Sequence, residues 1–210
     1  MDPLLTKLVE TYPELDVCLG DIEAAAELLK DSYRAGGKLL LCGNGGSAAD
    51  CEHIVGELMK GFESKRPLPE DVRRKLLAAS PEHGAYLADR LQGALPAVSL
   101  VGQTALATAF ANDVAADLTF AQQVLGYGKP GDVLLGISTS GHSRSVLLAL
   151  HAARALGLKT IGLAGRTGGA FVSACDVVIR VPRDRTREVQ ERHLPIYHAL
   201  CLMLEEEFFG

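Results

Sequence analysis

Residues 38–57, KLLLCGNGGSAADCEHIVGE, constrain the fold more than any other stretch of the chain. Leu39, Leu40 and Leu41 form a short apolar run bounded by turn residues, the pattern of a strand buried on both faces of a parallel sheet. Gly43, Asn44, Gly45 and Gly46 follow, where small residues permit a tight turn and close backbone approach to a ligand. Ser47 stands where a helix begins, and the free N–H groups there attract an anion such as phosphate. On that helix His53 and Glu57 are spaced i, i+4 and share a face. One element therefore carries both an anion seat and a pair able to move protons or hold a metal. Cys51 is i−2 from His53, on the far side of the helix, and reads as core.

A second segment repeats the design. Gly131–Ile137 reads as a buried strand, Ser138-Thr139-Ser140-Gly141-His142-Ser143 as a turn, and Ser145–Leu156 as a helix. The hydroxyls and backbone N–H groups of that turn suit one phosphate, but the lysine of a nucleotide P-loop is missing. Any strand-to-helix turn favours Gly and Ser. Two such turns in one chain favour a ligand site, because ligands of open α/β sheets sit outside the carboxyl ends of the strands.

The remaining pattern is an alternation of strands and helices. Residues 3–35 read as helical, with Ile22, Ala25, Leu29 and Tyr33 at helix spacing, Gly36-Gly37 as the stop, and an apolar face expected to pack against a neighbouring subunit. Strands are expected near 38–42, 97–101, 132–137, 158–164 and 176–181, giving a five-stranded parallel sheet covered by helices on both faces. Lys65–Leu95 is charged and helix-prone, punctuated by Pro67, Pro69 and Pro81. A length of 210 residues suits a single domain, 1–210, and 48% hydrophobic with 5% aromatic content favours an aliphatic core. A net charge of −5 argues against nucleic acid as a partner. No apolar run approaches the ~18 residues of a membrane span. Five cysteines without C-x-x-C spacing, and no basic, apolar leader, point to reduced thiols in a cytoplasmic protein.

The last helix, about Arg187–Phe208, carries Gln190, His193 and His198. Gln190 and His198 are about 80° apart round an ideal helix and roughly 12 Å apart along it. Pro195 lies between them, removes the bond to the Glu191 carbonyl and is expected to kink the helix.

Taken together, CGNGGS with His-x-x-x-Glu and then GDVLLGISTSGHS resembles the sugar isomerase (SIS) domain, and more narrowly the sedoheptulose-7-phosphate (phosphoheptose) isomerases. The resemblance runs from about Ala35 to Glu205, and its discriminating residues are His53, Glu57, Gln190 and His198. It implies a flavodoxin-like sheet, with Glu57 and His198 as the acid/base pair and His53, Glu57, Gln190 and His198 as ligands of one zinc ion per chain. It implies a phosphosugar held by Asn44, Gly45, Gly46, Ser47, Ser138, Thr139, Ser140 and Ser143, with Asn112, Asp113, Glu57 and Gln190 also touching substrate. It further implies a homotetramer with sites at subunit interfaces, on the route to heptose for bacterial surface polysaccharide. The chain departs from the family pattern in the 65–95 insertion, read as a helical hairpin, in Pro195, and in Arg187, where some relatives place an aspartate. Two alternatives accompany this reading: a noncatalytic SIS protein that binds a replication initiator or other protein, and an isomerase for a different sugar phosphate. Noncatalytic relatives lack the glutamate and the late histidine that are present here.

Overall fold

The computed structural model describes residues 2–210. Helix α1 (Pro3–Thr11), a 3-10 turn (Pro13–Cys18) and α2 (Leu19–Arg34) lead into β1 (Leu39–Gly43) and α3 (Gly46–Met59). Then come α4 (Glu70–Ala79), α5 (Gly84–Arg90), β2 (Ala97–Ser99) and α6 (Thr104–Phe110), a π turn (Ala111–Ala115) and a 3-10 turn (Ala116–Leu118). Helix α7 (Thr119–Tyr127), β3 (Val133–Ile137), α8 (Arg144–Ala155), β4 (Lys159–Ala164), α9 (Phe171–Ala174), β5 (Val177–Arg180) and α10 (Thr186–Phe209) complete the chain.

All strand pairs are parallel, in the order β2-β1-β3-β4-β5. This is the flavodoxin-like order, in which strand direction of travel reverses between β1 and β3. Alternation along each strand splits the core by face. Leu39, Leu41, Val133, Leu135 and Ile137 pack with α1, α2, α3 and α10. Leu40, Cys42 and Leu134 pack with α7, α8 and α9 on the other side. Both central strands are buried along their whole length, which accounts for their unbroken apolar sequences.

Three expectations are adjusted. The N-terminal helical region is broken at Tyr12-Pro13, where proline removes a backbone donor. Strand β2 ends at Ser99 and not at residue 101. The apolar face of the N-terminal helices, expected against a neighbouring subunit, is buried in the chain's own core through Leu5, Leu15, Ile22, Ala25, Ala26 and Leu29. The insertion is a helical hairpin as expected: α4 and α5 pack on each other, and α4 buries no residue. Its base is closed by Gly93 N–H donating to the Arg66 carbonyl (2.7 Å) and Gly61 N–H to Gln92 Oε1 (3.0 Å).

Candidate active site

Helices α3 and α10 lie side by side, run in the same direction, and meet at three successive levels. At the first level Gln190 approaches Gly46 so closely that a Cβ there would overlap its amide. At the second, His53 meets Tyr197 and His198. At the third, Glu205 meets the loop that leaves α3. Seven residues from Gly46 to His53, and eight from Gln190 to His198, correspond to a rise of about 10–12 Å between the first two levels.

The first level is a crevice of about 320 Å³ at the carboxyl ends of β1 and β3, where the strand order reverses. Asn44, Gly45, Gly46, Ser47, Ser138, Thr139, Ser143, Thr186 and Gln190 line it. Gly45, at φ 58°, caps α3 in a conformation that side chains resist. Asn44 Nδ2 donates to Ser143 Oγ (2.9 Å) and Ser145 Oγ (3.1 Å), tying the two turns together. The N-termini of α3 and α8 both open here. Their free N–H groups and dipoles make a seat for an anion.

The second level is made of side chains. His53 Nε2 lies 3.2 Å from Glu57 Oε1 and 3.5 Å from His198 Nε2. Its Nδ1 is 2.9 Å from the Tyr197 hydroxyl, which lies 3.4 Å from Asp50 Oδ1. The rings of His53, Tyr197, His198 and Phe62 meet edge-on or tilted at centroid distances of 5.0–5.4 Å. Burial, then the neighbouring His53, lowers the pKa of His198, and Glu57 offsets this only in part. The shift favours the neutral imidazole form of His198. Burial raises the Asp50 carboxyl above its ordinary range, partly countered by Tyr197, and Asp50 Oδ2 has no partner among the described residues. Burial and then Asp50 push the Tyr197 hydroxyl up. Lys60 Nζ sits 3.0 Å from Glu57 Oε2.

Two imidazoles and a carboxylate are suitable zinc donors, and the 3.2 and 3.5 Å separations are near the ~3.3 Å edge of a zinc tetrahedron. As arranged, with Lys60 on Glu57 and Tyr197 on His53, no three His, Cys, Asp or Glu side chains among the described residues gather around one point. Gln190, the fourth expected ligand, stands at the crevice instead.

The structure thus brings together His53, Glu57 and His198, and separately Asn44, Gly45, Gly46, Ser47, Ser138, Thr139, Ser143 and Gln190. Ser140 does not line the crevice; it is exposed, with Oγ accepting from His142 N–H at 3.2 Å. Asn112 and Asp113 lie on the exposed π turn, bonded to each other at 2.8 Å and outside the crevice. Arg187 is 80% exposed, 3.7 Å from Glu191. Helix α10 runs unbroken through Pro195. Cys51 is buried core. His193, the nearest alternative to His198, is fully buried with neither ring nitrogen hydrogen-bonded, and makes no contact with His53 or Glu57 of the kind His198 makes.

Sequence reading missed Thr186, Asp50, Tyr197 and Lys60. Asp50 and Lys60 are i−3 and i+3 from His53 and Glu57, a helical spacing that could have flagged them. Tyr197 had no such signal, since its role depends on α10 docking against α3.

Comparison with known proteins identifies the family. The family model of the SIS domain matches residues 16–85 and 80–165. The phosphoheptose isomerase of Akkermansia muciniphila is 35% identical over 97% of this chain and 94% of its own. Among solved structures, phosphoheptose isomerase GmhA from Neisseria gonorrhoeae superposes with a TM-score of 0.75 at 33% identity, covering 96% of this chain and 95% of that one. The phosphoheptose isomerase from Francisella tularensis gives 0.76 at 30% identity, covering 96% and 94%. With the parallel sheet, the paired Gly/Ser turns and the His53–Glu57–His198 cluster in place, this chain belongs to the phosphoheptose isomerase family of SIS-domain proteins.

Proposed function

We propose that the protein is an aldose–ketose isomerase that converts D-sedoheptulose 7-phosphate to D-glycero-D-manno-heptose 7-phosphate through an enediol. The observation that carries this reading is the separation of the anion seat from the acid/base cluster along α3. Ser47 to His53 is a rise of about 9 Å. From phosphorus to C2 of an extended 7-phosphate is seven bonds, or roughly 8 Å at the reach per bond of an extended chain. A phosphate on a five-carbon sugar falls about 2 Å short by the same measure.

The reaction moves a proton from C1 to C2 and another from O1 to O2. Glu57, whose side chain is only 14% exposed, takes the C1 proton as a carboxylate and delivers it to C2. Neutral His198 relays the hydroxyl proton between O1 and O2, and His53, held by Tyr197, orients the pair. The Lys60 ammonium beside Glu57 adds positive charge where an enediolate develops. The two helix N-termini and the Ser138–Ser143 turn hold the phosphate, leaving the sugar to reach along α3. A zinc ion bound by His53, Glu57 and His198 would supply Lewis-acid polarisation of the carbonyl.

A homotetramer accompanies this reading. Helix α6 and the turns to Leu118 bury no residue, although the segment is rich in alanine and leaves Leu106 and Val114 exposed. A second copy on this face would bury it and would carry Asn112 and Asp113 toward a neighbouring site. All five cysteines are free, in keeping with a cytoplasmic enzyme. The test is turnover across a panel of ketose phosphates. Preferential turnover of sedoheptulose 7-phosphate supports the assignment, and turnover of another phosphosugar alone overturns it. A protein inactive on every member is instead a binding protein.

A further inference from the structure

At the third level of the α3–α10 contact is a buried ion pair that the reaction scheme does not use. The Arg66 side chain is 0% exposed and that of Glu205 5%. Arg66 Nε donates to Glu205 Oε1 at 2.6 Å. The two remaining arms of the guanidinium donate to the Leu58 carbonyl (2.7 Å) and the Glu57 carbonyl (3.0 Å). Those carbonyls belong to the last turn of α3, whose C-cap residue, Lys60, is extended; Leu95 N–H also reaches the Leu58 carbonyl (2.9 Å), and Arg66 is the side chain that binds both. Glu205 in turn collects the N–H groups of Phe62 (2.8 Å), Glu63 (2.8 Å) and Ser64 (3.0 Å). Burial would raise the Glu205 carboxyl, but these donors and Arg66 outweigh it and hold it below its ordinary value. Arg66 achieves this at φ 43°, the only positive φ on a non-glycine residue among those described. Glycine would make that turn without strain, so what the position retains is the arginine side chain.

We infer that Arg66 and Glu205 are positioning residues for the isomerisation: together they fix the carboxyl end of α3, and with it Glu57, against the helix that carries His198. Arg66 holds the backbone of Glu57 itself, and Glu205 lies two helical turns beyond His198 on α10. The pair therefore links the helix bearing the base to the helix bearing its acid/base partner. The phosphate seat, about 16 Å away at the start of α3, lies outside its reach. The insertion springs from the same anchor, since the Arg66 carbonyl accepts the bond that closes the hairpin. This inference rests on the proposed roles of Glu57 and His198.

The experiment compares wild type, Glu57→Gln, Arg66→Lys and Glu205→Gln with sedoheptulose 7-phosphate, normalising to folded protein by circular dichroism. Lysine keeps the charge beside Glu205 but cannot reach both α3 carbonyls as well. Glutamine keeps the shape of Glu205 but opposes an amide to the N–H donors. Both variants should lose about 10- to 100-fold in kcat, with KM within about threefold because phosphate binding is untouched. In a Glu57→Asp background, where the carboxylate is already withdrawn, Arg66→Lys should cost less than about threefold more, the non-additivity expected of residues acting through one group. Wild-type kcat in either folded variant, full additivity, or failure of both variants to yield soluble protein would reduce the pair to a folding element and overturn the inference. The underlying reading fails separately, and takes this inference with it, if wild type does not turn over the sugar or Glu57→Gln remains fully active.

Discussion

The crevice and the His53–Glu57–His198 cluster share helices α3 and α10 yet are built differently. The crevice is largely backbone: a cap at Gly45, two helix N-termini, and hydroxyls that follow directly from two strand-to-helix turns. The cluster is entirely side chain, and half of it arrives from α10, about 145 residues further along the chain. Binding an anion with backbone dipoles requires only local geometry. Aligning a carboxylate with two imidazoles requires two helices to be locked in register. The two regions should therefore fail differently when perturbed.

Glu57→Gln offers the largest contrast. The amide keeps the size of the side chain but cannot accept the proton, so kcat should fall by about 10²-fold or more, with KM nearly unchanged because the phosphate is held at the other level. Steady-state kinetics with sedoheptulose 7-phosphate decide this. Turnover near the wild-type value would remove Glu57 from the base role.

The packing that holds the two levels together can be tested through His193, buried on α10 between Gln190 and His198. Burial lowers its pKa from 6.5 to about 4, and the nearby Ala164 carbonyl, short of a hydrogen bond, offsets this only in part. The unfolded chain, with the higher pKa, binds more protons on acidification. The stability contribution is thus complete above about pH 6.5 and is lost as the pH falls toward 4. Between pH 7 and 5 the expected loss is about 2 kcal/mol. His193→Leu should remove that part of the acid dependence. Urea titrations of both proteins at the two pH values check it, and identical pH profiles would mean that His193 is not held neutral.

Gly46→Ala perturbs the crevice alone. The added methyl overlaps the Gln190 amide, and displacing one donor from a bound phosphate should raise KM about tenfold, or ~1.4 kcal/mol. If kcat fell instead, the two levels would not be independent. The smallest effect on stability is expected from Lys60→Met. Its exposed pair with Glu57 contributes at most about 1 kcal/mol to stability, so thermal unfolding should barely move. A larger shift would make Lys60 part of the structural frame.

These contrasts follow how much of the molecule could be read from its residues in order. The individual strands, both Gly/Ser turns and the i, i+4 pair of His53 and Glu57 were legible because each is signalled by residues within about twenty of one another. So was the hairpin nature of the insertion. The resemblance of the Gln190–His198 segment to a known family pointed to His198, but its spacing alone could not separate His198 from His193. Only the docked α10 turns one histidine toward His53 and buries the other. The N-terminal helices were misassigned to a partner surface because an amphipathic pattern says that a face must be buried, not against what.

The amino-acid sequence by itself determined the alternating architecture and the two Gly/Ser turns that line the crevice, since strand hydrophobicity, glycine turns and helix N-termini are properties of short segments. Only the tertiary structure decided that Gln190 stands at the crevice while His198 joins Glu57, that Tyr197 and Asp50 back His53, and that Arg66 closes on Glu205. Each of these is a contact between residues distant in the chain, fixed by the way buried faces of α3 and α10 pack on one side of the sheet and not by any local preference of the residues themselves.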